Sequence, residues 1–180
     1  MNNLSKIKKL SKKLHLLITV FLVVIPLYYL IYWAFINYLP ETLLTVNIES
    51  DLLVPHPLSI KLQLIGFIVS LLPLSALMYG LNNIRKLFSF YQQGVIFSFE
   101  HVNIFKNTSK ALIGWVFFSI LYESAKSILF SIENPPGQGV VNVGFSSQEI
   151  TTLAIAGIVF VIAWVMDEGR ILTEEQHLTI

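Results

Sequence analysis

Two charged side chains stand where the surrounding sequence is otherwise apolar: Glu123 and Lys126, inside the run Ala111–Ile132. Ionisable groups in a hydrocarbon layer are costly, and they are functional-site candidates by default. Their i, i+3 spacing places them on one helix face, where each can neutralise the other. At about 1.5 Å per residue, Lys126 lies about 9 Å from the end of the run and Glu123 about 14 Å. Lys126 is therefore expected to snorkel toward water, while Glu123 stays deep. The chemistry open to such a pair is a proton or ligand site, or a structural ion pair. Transport relays usually enlist more than one acidic residue, and no second one is found within an apolar run, so the structural pair is the preferred reading.

Pro26 and Pro73 interrupt two other apolar runs at comparable depth. Each removes a helix hydrogen bond and frees a carbonyl. Broken helices line transporter sites, but proline is frequent in membrane helices generally; both prolines are read as helix kinks. His15, His56, His101 and His177 each stand alone, with no H-x-x-x-H or H-E-x-x-H pairing, so no metal site is expected. The chain has no cysteine, which excludes disulfides and thiolate chemistry. With no P-loop, nucleophile elbow or dinucleotide fingerprint either, neither an enzyme nor a cofactor is expected.

The elements that must position these residues follow from composition. Of the 180 residues, 54% are hydrophobic and 13% charged, and mean hydropathy is +0.69. Soluble domains carry about 25% charged residues, so this chain cannot clothe itself in polar surface. Its net charge of +1 gives no basic field for nucleic acid, and no direct nucleic-acid contact is expected. A membrane crossing takes roughly 20 apolar residues. Four stretches qualify: Leu16–Ile36, Ile60–Leu81, Ala111–Ile132 and Ile150–Met166. The expected fold is an all-α integral membrane protein, one domain over residues 1–180, with four transmembrane helices in a bundle.

Orientation follows from lysine and arginine. Lys6, Lys8, Lys9, Lys12 and Lys13 precede the first span; Arg85, Lys86, Lys106 and Lys110 lie in the middle loop; Arg170 lies in the C-terminal tail. The positive-inside rule puts all of these, and both termini, in the cytoplasm. The first apolar run is too long for a signal peptide and no small-x-small site follows it, so it is read as a retained helix. On the outer side, Leu44–Ile48 and Val140–Phe145 have strand character and could pair as a small extracytoplasmic β cap. On the inner side, Leu81, Ile84, Leu87, Phe88 and Tyr91 continue the second span at helical spacing. Gly94 suits a helix end and Ser98 the next helix start. From Phe99 the pattern runs unbroken into the third span, which predicts a projecting helical hairpin. Gly66 with Ser70, and Ala156, Gly157 and Ala163, give small-residue faces for close helix packing.

Gly94-Val95-Ile96-Phe97-Ser98-Phe99-Glu100 and the terminal Asp167-Glu168-Gly169-Arg170-Ile171-Leu172-Thr173-Glu174-Glu175-Gln176-His177-Leu178-Thr179-Ile180, with four spans in this order, carry a resemblance. The chain resembles a bacterial family of small membrane proteins, the domain of unknown function 2975 family. Members of that family have a G-x-I-F-[ST] turn and end near E-E-x-D-L-T-[IV]; His177 here stands where an acidic residue is usual. The resemblance implies a bacterial inner-membrane location and no established activity. It also implies frequent genomic neighbourhood with small helix-turn-helix regulators.

The expected function is thus a non-catalytic sensor or regulatory partner of a cytosolic protein, embedded in the lipid bilayer and free to form oligomers. The partner-binding candidates are Gly94, Ile96, Phe97 and Phe99 at the hairpin tip. Glu174, Glu175, Leu178, Thr179 and Ile180 join them from the tail, where Gly169 is expected to end the fourth helix. The rival readings are a small transporter or channel using Glu123 and an assembly factor for a membrane complex.

Overall fold

The computed structural model describes residues 3–39, 57–95, 98–132, 143, 145 and 147–178, with 172–178 as backbone. Four long helices make up nearly all of it: α1 (Asn3–Ala34), α2 (Ile60–Gln93), α3 (Phe99–Ser131) and α4 (Ser147–Leu178). A single 3-10 turn, Ile36–Tyr38, follows α1. All four helices are long and apolar enough to cross a membrane. Each exceeds its apolar stretch, because polar residues of good helix propensity continue the helix on one side; in α1 these are the N-terminal lysines.

Among the described residues there is no strand. The proposed cap segment 44–48 lies outside the described residues, as do 140–142 and 144. Val143 and Phe145 are exposed and belong to no ladder. The β cap therefore has no support. Its strand propensity was the whole basis for it, and two short unsupported strands gain too little from pairing to hold.

The main interfaces follow chain order: α1 on α2, α2 on α3, and α3 on α4. The middle pair buries much more of its apolar length than the flanking helices, whose large side chains stand exposed as lipid-facing residues would. Small residues make the close approaches. Gly66 lies directly beneath the six-membered ring of Trp33, where a Cβ would overlap the ring. Trp33 is 1% exposed and completes a cluster with Ile36, Leu58, Tyr122, Leu129 and Phe130. On the other flank Ala156 and Ala163 are fully buried, and the Ser109 hydroxyl donates to the Ala156 carbonyl at 2.8 Å. Gly157, by contrast, faces open space.

The hairpin end is built by capping chemistry. Gly94 takes φ 87, the Gly94 N–H reaches the Tyr91 carbonyl at 3.1 Å, and the Val95 N–H reaches Phe90 at 3.2 Å. That pair of bonds is a Schellman motif, which only a left-handed residue at this position closes without strain. Ser98 stands at the start of α3 in extended conformation, as its type predicts. The opposite end has a different closure: the Asn37 side chain accepts from the Leu58 N–H at 2.8 Å and donates to the Leu58 carbonyl at 3.0 Å. This amide clamp joins the end of α1 to the start of α2.

Candidate functional site

The intramembrane pair forms as its spacing predicts: Lys126 Nζ lies 3.7 Å from Glu123 Oε2. The burial is the reverse of the expectation. The Lys126 side chain is 8% exposed and that of Glu123 31%. Lysine does not snorkel because α1 supplies a cover: Nζ sits 5.9 Å from the centroid of the Tyr32 ring, an attraction worth about 2 kcal/mol when desolvated. Tyr32 is edge-on to Trp33 at 5.7 Å, and Trp33 to Tyr122 at 6.5 Å. The ion pair therefore belongs to an aromatic cluster joining α1 to α3. Tyr32 Oη is buried there without a hydrogen-bond partner among the described residues. The arrangement holds a charge pair within apolar surroundings and shields the cation more than the anion.

Neither proline breaks its helix. Pro26 lies within α1 and Pro73 within α2. Pro73 is fully buried at the packed face of α2, where its missing N–H leaves the Val69 carbonyl without its usual donor. Three residues earlier the Ser70 hydroxyl bonds the Phe67 carbonyl at 2.7 Å.

The second group of candidates gathers at the hairpin end. Gly94 holds the turn and lies against the Lys8 side chain, whose Cε and Nζ would be 2.8 and 2.9 Å from an added Cβ. Phe99, half exposed, opens α3 and carries the Arg170 guanidinium 5.6 Å from its ring centroid. Ile96 and Phe97 lie outside the described residues, as do Thr179 and Ile180. Glu174, Glu175 and Leu178 lie on the backbone of α4, which does not end at Gly169. Asp167 binds Arg170 at 3.3 Å and Lys106 of α3 at 3.6 Å. These contacts hold the turn on either side of the glycine, offsetting its propensity cost of about 1 kcal/mol. The helix runs unbroken through Thr173.

His101 is the residue sequence reasoning passed over. It is fully buried behind the tip, with Nδ1 2.6 Å from Ser98 Oγ. The ring is stacked on Tyr91 at 5.2 Å and tilted against Phe90 at 5.3 Å. Burial pushes its pKa below the ordinary value, against the opposite pull of the Glu100 carboxylate and the Val95 carbonyl. Glu100 is itself held low by its own backbone N–H and the Ser98 hydroxyl. The S-x-x-H spacing was legible, but a capping serine is normally expected to spend its oxygen on backbone N–H groups. Among the described residues no three His, Cys, Asp or Glu side chains gather as a metal site.

With four membrane-length apolar helices and no strand among the described residues, the molecule has the architecture of a multi-pass membrane protein. Residues 45–180 match the family described as protein of unknown function (DUF2975), and the chain belongs to that family. No curated protein and no solved structure matches it.

Proposed function

We propose that this protein is a non-catalytic sensor or regulatory partner in the bacterial cytoplasmic membrane, presenting its hairpin end to a cytosolic protein. The supporting observation is the run of α4 beyond the fold. Arg170 is already level with Phe99, the first residue of α3, yet the helix continues from Ile171 to Leu178. At about 1.5 Å per residue that is about 12 Å of helix. So short a segment would not stay helical alone in water; it is a continuation of α4. The sequence of this segment carries Glu174, Glu175 and Leu178, acidic and apolar residue types suited to a protein partner. The family resemblance nominates a helix-turn-helix regulator, by neighbourhood alone.

The positive-inside rule supports the orientation. The structure gathers the start of α1, the hairpin tip and the end of α4 at one end, through the Lys8–Gly94 and Arg170–Phe99 contacts. Ten of the twelve basic residues belong to these segments and their approaches, so this end is assigned to the cytoplasm. Transport is the weaker reading because Glu123 pairs with Lys126 under an aromatic cover, with no second carboxylate recorded beside it among the described residues.

The test is recovery of crosslinked complexes from native membranes, comparing the full chain with a chain lacking Gln176–Ile180. The truncation should keep the thermal stability of the purified protein and lose the partner. Loss of stability would mean that the segment docks on its own hairpin. An unchanged recovery would remove the partner reading. Single cysteines at Ser50, Ser89, Ser147 and Thr179 check the orientation in intact cells: an impermeant maleimide should label the first and third only.

A further inference from the structure

A fully buried histidine is an unusual choice for a helical turn that projects from the apolar part of a protein. Imidazole is the side chain whose charge changes near neutrality, and a buried ring resists taking the second proton. His101 closes the hairpin from inside. Its Nδ1 holds Ser98 Oγ at 2.6 Å, and its ring fills the space against Phe90 and Tyr91 in the last turn of α2. These contacts bind the start of α3 to the end of α2 across the Gly94–Ser98 turn. Nε2 is buried as well.

We propose that His101 is a proton-operated latch: neutral, it holds the α2–α3 tip closed; protonated, it releases the tip.

The groups around the ring set the balance. From α3 the Glu100 carboxylate favours the charged imidazole, as does the Val95 carbonyl at the turn. From α2 come Tyr91 and Phe90; Tyr91 is neutral, its own pKa raised by burial, and both ring faces offer an imidazolium some attraction. From α1 the Lys8 ammonium lies by Gly94, and from α4 Arg170 covers Phe99; both cations oppose a further positive charge nearby. Burial outweighs the favourable groups, so the closed tip binds the proton less well than an open one. The sign follows from linkage. The folded-state value is depressed below the ordinary histidine value of 6.5. The closed state is thus undiminished above that value and is progressively penalised as pH falls below it. The penalty is complete once pH drops below the depressed value.

The latch would control partner access only under the function proposed above, and its own test needs no partner. Full-length protein in nanodiscs is followed by amide hydrogen exchange across the ends of α2 and α3, at about pH 7.5 and about pH 5.5, corrected for intrinsic exchange chemistry. Protection at the tip should fall by up to about tenfold, the most that the single unit between the ordinary value of 6.5 and pH 5.5 allows, while the middle of α2 and α3 is unchanged. A chain with His15, His56 and His177 all replaced by Gln should keep the response. His101→Phe should keep the tip closed at both pH values. The proposal is overturned if tip protection in the wild type does not change with pH, or if the response disappears in the chain retaining only His101. Where His101→Phe does not fold, that single-histidine chain decides the matter.

Discussion

Gly66→Ala introduces a single methyl group at the most closely covered glycine among the described residues. The new Cβ would overlap the six-membered ring of Trp33, a side chain 1% exposed and backed by Tyr32 and Tyr122. Two effects oppose each other. Replacing glycine in a helix interior gains about 1 kcal/mol of propensity. Overpacking a fixed core position costs about 1–3 kcal/mol. An open groove of about 300 Å³, lined by Leu30, Trp33, Ala34, Ile60, Gln63, Leu64 and Phe67, gives the ring some room to retreat, but only by abandoning the Tyr122 contact. So close a contact puts the cost toward the upper end of its range, and the net loss should approach about 2 kcal/mol. Thermal unfolding in detergent, read by size-exclusion recovery, should show the loss, and tryptophan emission should shift as the Trp33 environment changes. A Trp33→Leu background should remove most of the penalty, with a coupling of about 1 kcal/mol or more across the cycle. If Gly66→Ala proves as stable as the wild type or more so, the close α1–α2 contact is not what holds these helices together.

The ion pair predicts an asymmetry. Glu123→Gln strands the buried ammonium, so it should lower thermal stability more than Lys126→Met, which strands a carboxylate that is 31% exposed. Both losses should stay below the roughly 3–5 kcal/mol of a fully buried pair, and the double variant should regain most of either. Equal losses, or no recovery in the double variant, would refute this account; a stable double variant with no biological output would point to a working site. At the turn, Gly94→Ala meets both φ 87 and the Lys8 side chain, and should cost about 1–2 kcal/mol in the same melting assay. Lys8→Ala in that background relieves only the steric share, so full rescue by it would count against backbone strain as a cause.

Helices and hairpin were legible because they depend on local chemistry. The apolar runs, Gly94 and Ser98, and the i, i+3 spacing of Glu123 and Lys126 each act within a few residues. What escaped depends on which helix lies opposite. Nothing near Lys126 in sequence announces Tyr32, so its burial could not be inferred. Gly66 suggested a close approach without naming Trp33. Nothing near Asn37 in sequence announces Leu58, which its side chain clamps. Gly169 misled for a related reason: its local weakness is compensated by Lys106, which is distant in sequence but adjacent in space. His101 was counted as solitary because the search was for metal pairs, and a buried imidazole needs only a serine and two rings.

The length of α2 has a mechanical consequence. Its 34 residues span about 51 Å at 1.5 Å per residue, against a hydrocarbon layer of about 30 Å. About 20 Å of α2, paired with the start of α3, thus stands clear of the apolar layer as a stiff lever rooted in the membrane. Membrane helices adjust their tilt to bilayer thickness. A change of about 10° would sweep the far end of such a lever sideways by about 3–4 Å, roughly the width of a side-chain contact. Under the function proposed above, a change in lipid composition would in this way reach a cytosolic partner at the tip without any ligand entering the fold.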